Sequence, residues 1–542
     1  MADVYRGVGV GIGMVVAPVA RMGAPPSLPA PRPVAELDTA AETQLAREAL
    51  ASVSADLTAR SAAAVERDAA AILDALSMIA ADPSLADQVE DLVSAGADAA
   101  HALHDAFENY RELLVEAGGY MAERAQDLAD LRDRAIAVVL GESMPGVPDP
   151  GHPFVLVAAD LSPADTVGID TARVLALVTE GGGPTSHTAI LARSLGLPCV
   201  VACGGILAVG DGELVAVDAA SGTVEAGLDA DRQAELRQLA AQQATEIGTV
   251  HGPGRTADGH PVALLHNIGG AGDLDGVVDE DFEGVGLFRT ELLFLDRPDA
   301  PSFDAQRTAY RAVLKAAAGR KVVVRTLDAG ADKPLAFLAS GPEPNPALGI
   351  RGLRVARRTP EVLTGQLAAL AAAASDVPEA DLWVMAPMVA TADEAAWFAE
   401  HARAAGLATV GVMVEIPAAA LRAEEVLAAV DFLSIGTNDL SQYTFAADRM
   451  EGALASLLDP WQPALLDLVA RCAEAGRTMG KPVGICGEAA ADPALAVVFA
   501  GMGITSLSMS ARAIPAVRYA LRAHTFAECD ATAASARGVR PA

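Results

Sequence analysis

Apolar and polar positions follow three different rhythms along the chain. In residues 4–20, VYRGVGVGIGMVVAPVA, glycines interleave with β-branched residues, which predicts a strand-and-turn region. Pro25, Pro26, Pro29, Pro31 and Pro33 then favour an extended link. From Asp38 to about Leu140 the apolar spacing is helical, with almost no Pro or Gly, and Thr39 followed by Glu42 predicts a capping-box start. The proline–glycine hinge PGVPDPGHP (145–153) closes that block. Beyond it, FVLVAAD (154–160) and VLALVT (174–179) predict strands, GGGPTSHTAILARSLGLPCVVA (181–202) completes an α/β unit, and residues 228–247 predict a connecting helix.

After His251 short β-branched runs recur: VALLHN (262–267), GVGLFR (284–289), KVVVRTL (321–327), LWVMAPM (382–388), VGVMVEI (410–416), DFLSIG (431–436), PVGICG (482–487) and ITSLSMS (504–510). Ala-rich helical stretches separate most of them. Eight strands alternating with helices predict a (β/α)8 barrel. Polar residues gather at the C-terminal ends of these runs, where such barrels build active sites: Arg289, Arg325, Glu415, Asn438, Asp439 and Cys486.

Composition narrows the function. With 542 residues and 52% hydrophobic content the chain has material for several cores, and global disorder is excluded. Asp and Glu outnumber Lys and Arg 71 to 39, a net charge of −32. That argues against a nucleic-acid or anionic-membrane surface and permits a basic protein partner. An anionic substrate then needs a local cluster of cations. Five cysteines make no disulfide framework and fit a reducing, cytoplasmic setting; Cys199 and Cys203 read as core. The N-terminus lacks the basic region of an export signal, and the charge-free stretch Pro493–Ala511 is broken by Gly501 and Gly503, so no membrane insertion is expected.

Two constellations carry chemistry. In Gly181-Gly182-Gly183-Pro184-Thr185-Ser186-His187-Thr188 the glycines admit close backbone approach, and Thr185 or Ser186 can cap a helix beginning at His187. A capping turn with an incidental histidine accounts for the same residues. At the barrel rim, Arg289, Arg325 and Arg351 suit bidentate capture of carboxylate and phosphate, with Asp328 and Lys333 close by in sequence. Glu415 and Asp439 offer oxygen ligands for Mg²⁺, and Cys486, in an exposed-looking glycine turn, offers a proton. His101 and His104 read as surface or core histidines.

These segments resemble known ones. GGGPTSHTAILARSLGLPCV resembles the phosphohistidine segment of the phosphoenolpyruvate-utilising enzymes. GLFRTELLFLDR, VVVRTLDAGADK, NPALGIRGLR, VMVEIPAA, LSIGTNDLSQYTFAADR, VGICGEAA and LSMSA resemble their barrel motifs in order. Length, motif order and the helical insertion are similar to the phosphoenolpyruvate–protein phosphotransferases, enzyme I of the bacterial sugar phosphotransferase system. Pyruvate phosphate dikinase and phosphoenolpyruvate synthase share both motif sets but carry a nucleotide-grasp domain for which this chain has no room. A non-catalytic regulatory phosphocarrier is disfavoured because every reacting group is present.

The resemblance implies a phosphohistidine α/β domain at 1–35 and 142–226, an inserted all-helical subdomain at 36–141, a linker helix at 227–252, a phosphoenolpyruvate-binding TIM barrel at 253–530 and a tail at 531–542. It implies phosphoryl transfer from phosphoenolpyruvate to the tele nitrogen of His187 with release of pyruvate, then onward to a histidine-containing phosphocarrier protein. His187 falls on the phospho-accepting histidine and Thr166 on the threonine that orients it. Arg289, Arg325, Arg351, Arg449 and Asn438 fall on substrate contacts, Glu415 and Asp439 on Mg²⁺ ligands, and Cys486 on the acid that protonates the enolate. The resemblance further implies a homodimer formed through the barrel, and carrier docking on the helical insertion. There Asp82, Asp87, Glu90 and Asp91 make either an acidic docking face or a solvated one. Pro184, Ile350 and Glu451 depart from the family pattern.

Overall fold

The structure is a computed structural model. It describes residues 3–538 apart from 12, 24–25, 64–72, 74–75, 118–124, 143–145, 149, 162–168, 184–187, 190–191, 193–194, 278–280, 295–298, 331–334, 336, 339–342, 344, 449–453 and 455–456. Two compact units compose the chain: Met1–Gly9, Val15–Gly182 and Cys199–Leu236 form the first; Val10–Met14, Gly183–Pro198 and Arg237–Ala542 form the second.

The first unit contains most of an eight-stranded mixed sheet. Its strands are β1 (Asp3–Arg6), β2 (Val8–Val10), β3 (Met14–Arg21), β4 (Phe154–Ala158), β5 (Val174–Thr179), β6 (Cys199–Val201), β7 (Leu214–Asp218) and β8 (Thr223–Ala226), in the order β1-β8-β7-β3-β4-β5-β6-β2. The glycine-interleaved start thus yields three strands. Gly9 shows why glycine is needed there: a Cβ would stand 1.9 Å from the carbonyl oxygen of Ala219. Between β3 and β4 lie the helices Thr39–Ala63, Pro83–Ser94, Ala99–Ala117 and Ala125–Leu140. Residues at helical spacing, among them Leu50, Val53, Leu57, Leu85, Val89, Val93, Leu103 and Phe107, form their shared core.

One local expectation in this unit is corrected. The first helix begins at Thr39, and its cap is Asp38, whose Oδ1 accepts the N–H groups of Ala40 (3.0 Å) and Ala41 (3.3 Å). Glu42 is buried instead, accepting from Arg32 Nη2 (2.6 Å) and Ala99 N–H (2.9 Å). In the acidic set on the second helix, Asp82 serves as its N-cap (Ser84 N–H, 2.8 Å) and accepts from Tyr110 Oη at 3.1 Å, while Glu90 pairs with Arg47.

The second unit holds the barrel. Its strands are β9 (Ala263–Ile268), β10 (Gly284–Arg289), β11 (Lys321–Arg325), β12 (Asp381–Ala386), β13 (Thr409–Val414), β14 (Phe432–Ile435), β15 (Val483–Ile485) and β16 (Ser506–Met509). Every neighbour pair is parallel, and β16 closes on β9 through Ser506↔Ala263. All eight sit on the runs read from the sequence. Val322, Val324, Val384, Val412 and Ile435 face the helix ring, while Leu287, Val323, Met385, Met413, Phe432 and Cys486 form a separate inner cluster. The last helix, Phe526–Ala536, begins before the expected tail and runs into it. It packs on Pro493–Met502 through buried Cys529 and Ala533. Among the described residues no helix is long and apolar enough to cross a membrane.

Candidate active site

Parallel strands deliver their final residues, and the turns after them, to one end of the barrel. Arg289 ends β10 and is exposed; Arg325 ends β11 and is buried. Arg351 follows in the segment that bridges back to Gly330, and is 1% exposed. The next residue, Gly352, has φ +58°, and a Cβ there would crowd Met388 at 2.9 Å, so the close approach of these loops requires glycine.

Three carboxylates hold these two buried guanidiniums. Arg351 donates through Nε and Nη2 to Asp328 (3.3 and 3.2 Å) and through Nη1 and Nη2 to Asp439 (3.0 and 3.4 Å). Arg325 pairs with Glu291 at 3.1 Å and Asp328 at 3.6 Å. Burial works against the Arg325 charge, but Glu291, Asp328 and Glu415 outweigh it and raise its pKa. Its Nε is buried with no hydrogen-bond partner among the described residues. A buried donor in that state calls for an acceptor beyond the described residues.

Glu415, just past β13, is 1% exposed, and its Oε2 accepts the N–H of Met388 at 2.8 Å. Met388 is held at φ +57°, a left-handed conformation uncommon for its type. Burial, with repulsion from Asp439 and Asp328, pushes Glu415 up to about 7, against a smaller pull from Arg325. Asn438 and Asp439 lie in the first turn of the helix Thr437–Phe445. Asn438 Oδ1 accepts the N–H of Glu488 at 3.1 Å, which fixes the end of the amide that donates elsewhere.

Cys486 corrects the reading of an exposed turn: it is 3% exposed and belongs to the inner barrel cluster. Its Sγ lies 3.7 Å from the carbonyl oxygen of Ile435. Burial pushes the thiol up to about 11, with Glu415 adding and Ser434, Arg325 and Arg289 opposing. Such a group holds its proton near neutral pH, as a donor must.

The structure therefore brings Arg325, Arg351, Asp328, Glu415 and Asp439 into one network, with Arg289, Asn438 and Cys486 at the same strand ends. His187, Thr166, Arg449, Lys333, Pro184 and Glu451 lie outside the described residues. Ile350 packs beside Leu327 and Val355. Glu291 was not read from the sequence, although it follows Arg289 by two residues in a strand-end turn. Besides pairing with Arg325, it accepts the N–H of Asp328 at 2.9 Å. His101 Nδ1 sits 2.9 Å from Asp98, a local pair at a helix start.

Known proteins match along the whole length. Family models described as PEP-utilising enzyme cover the chain in three pieces: the N-terminal domain at 6–124, the mobile domain at 150–222 and the PEP-binding domain at 243–526. A phosphoenolpyruvate-protein phosphotransferase of Streptomyces coelicolor is 52% identical over 99% of this chain and 97% of its own. Proteins of the same name from Haloferax volcanii (40% identical, 85% of this chain and 83% of theirs) and Staphylococcus carnosus (39%, 84% and 82%) also align. Sequence, barrel and relatives agree: the chain belongs to the phosphoenolpyruvate-protein phosphotransferases of the PEP-utilising enzyme family.

Proposed function

We propose that this chain takes the phosphoryl group of phosphoenolpyruvate onto His187, releases pyruvate, and passes the group to a histidine-containing phosphocarrier protein of a sugar phosphotransferase system. The observation that carries the proposal is the pair of buried guanidiniums, Arg325 at the end of β11 and Arg351 in the segment bridged to Gly330, with the Arg325 Nε–H lacking a partner among the described residues. In an acidic chain, two desolvated guanidiniums at one end of a barrel suit a compact polyanion.

The chain's own residues divide the work. Arg325 and Arg351, with Arg289 and Arg449, bind and orient the carboxylate and phosphoryl oxygens. Neutral His187, oriented by Thr166, attacks phosphorus while the bond to the enolate oxygen breaks. Cys486 gives its proton to the enolate carbon, completing pyruvate. Asn438 donates to the substrate.

The donor set at the rim fits Mg²⁺. Among the described residues four carboxylates (Glu291, Asp328, Glu415, Asp439) face three guanidiniums (Arg289, Arg325, Arg351), and burial, with added repulsion from Asp439 and Asp328, raises Glu415. Hard oxygen ligands with surplus negative charge suit a small divalent cation. Glu415 and Asp439 would hold it, and when bound it supplies neutralisation for the phosphoryl oxygens.

We assign the phosphohistidine domain to 1–35 and 142–226, carrier docking to the helical segment 36–141, the linker to 227–252 and substrate binding to the barrel from 253. Assembly is proposed as a homodimer through the barrel, in the cytoplasm. The test is incubation with labelled phosphoenolpyruvate and Mg²⁺. Acid-labile, base-stable label on the protein is expected, and its absence from correctly folded protein would sink the reading.

A further inference from the structure

Behind the guanidinium rim, a buried polar network joins the two loops that carry it. Gln366 lies in the helix Pro360–Ser375, within the inward stripe Leu363, Gln366, Leu367 and Leu370, and is fully buried. Its Oε1 accepts the N–H of Leu327 at 3.0 Å. Its Nε2 donates to Thr290 Oγ1 at 3.0 Å and to Tyr310 Oη at 3.1 Å. Thr290, itself fully buried, donates to the carbonyl oxygen of Arg325 at 2.8 Å. The Tyr310 hydroxyl in turn donates a hydrogen bond to Gln306 Oε1 at 3.1 Å, which anchors the far side.

One amide thus touches the loop after β10 and the loop after β11 together. Leu327 precedes Asp328, whose carboxylate grips Arg351 and whose N–H is held by Glu291. An apolar side chain would suit this helix stripe equally well. An amide buried there is costly unless both of its ends are bonded, and here both are. A fully bonded buried network specifies one geometry, because any shift leaves a donor or acceptor unpaired.

We propose that Gln366 is a positioning residue for the phosphoenolpyruvate step. Through Thr290 and Leu327 it locks the loops after β10 and β11 in register, so that Arg325, and Arg351 through Asp328, meet the substrate already placed. The inference rests on the assignment of those arginines to the substrate. Displacing a binding group by an ångström costs about 10²-fold in rate.

The test uses the full-length protein, with phosphoenolpyruvate and Mg²⁺ titrated calorimetrically and turnover measured beside it. Gln366→Met keeps the volume and removes all three bonds. It is expected to weaken binding at least about tenfold and raise KM alike, while His187 still takes label from the phosphorylated carrier. Gln366→Glu is expected to bind nearly normally at acid pH and lose affinity as pH rises, because burial favours the neutral acid that still donates and accepts. Thr290→Val is expected to act in the same direction, and the double variant with Gln366→Met to be no worse than the poorer single one.

Binding by Gln366→Met within twofold of the parent overturns the inference, as do effects that multiply in the double variant. Should Gln366→Met fail to fold, Thr290→Val and the pH profile of Gln366→Glu decide. Arg325→Lys separates the two readings. Undiminished binding there sinks the arginine assignment, whereas weakened binding there with normal Gln366→Met sinks only the role of Gln366.

Discussion

The helical insertion and the barrel rim both carry arginine–carboxylate pairs, but the pairs differ in kind. In the insertion Arg47 meets Glu90 with about half of each side chain in solvent (52% and 45% exposed). At the rim Arg351 meets Asp328 with 2% and 0% exposed. An exposed pair contributes about 0–1 kcal/mol, because water and salt screen it and two long side chains lose freedom. Breaking a buried pair costs about 3–5 kcal/mol, since a desolvated charge is left behind. The rim has accepted an expensive arrangement of charge, and such an arrangement is useful where an anion is to be clamped without further reorganisation.

The sharpest separation of phosphoryl acceptance from substrate binding comes from the nucleophile. His187→Ala should lose all label from phosphoenolpyruvate, yet bind phosphoenolpyruvate with Mg²⁺ as the parent does. Normal labelling of that variant on a denaturing gel would refute the site.

A direct assault on the comparison sets Arg351→Met beside Arg47→Met. The first should lower unfolding free energy by about 3–5 kcal/mol, and the second by less than about 1 kcal/mol, in denaturant titrations. Equal losses would mean that burial does not distinguish the two regions.

Glu415→Ala and Asp439→Ala should each remove Mg²⁺-dependent turnover, with Mg²⁺ binding followed independently by calorimetry. Undiminished Mg²⁺ affinity in both would place the cation elsewhere.

The smallest effect concerns Cys486. A thiol pushed up to about 11 carries roughly one part in a hundred of thiolate at pH 9, so native alkylation should be slow and should quicken as pH rises. Rapid modification at pH 8, located by mass spectrometry, would contradict the buried placement.

The barrel was legible because its signal is periodic. GVGLFR coincides with β10, and the other seven runs fall on their strands within a few residues, since parallel strands buried on both faces read as near-continuous apolar runs. Strand-end polar residues were legible for the same reason: a charge closing an apolar run has one plausible place. Burial was harder. Cys486 sits between glycines, which look like a surface turn, and only the closure of β14 and β15 around it shows otherwise. The cap at Asp38 was missed because Thr39 and Glu42 satisfy the capping-box spacing one residue late. Glu291 and Gln366 act through partners distant in sequence. The one local trace of Gln366 is an amide standing in the stripe of Leu363, Leu367 and Leu370.

Barrel closure also sets a timetable for synthesis. β9 pairs with β16 through Ala263 and Ser506, 243 residues apart (506 − 263). At about 5–20 residues per second, β9 emerges from the ribosome roughly ten to fifty seconds before its closing partner. Throughout that interval its free edge offers unpaired N–H and C=O groups to any other strand. Ribosome-bound chains halted before residue 506 should therefore be protease-sensitive across the barrel region, and chains released with the last helix complete should not. Protection of the halted chains would show that the open sheet is already closed off by other means. The residues that finish the wall are thus the ones that remove the nascent barrel's last free edge.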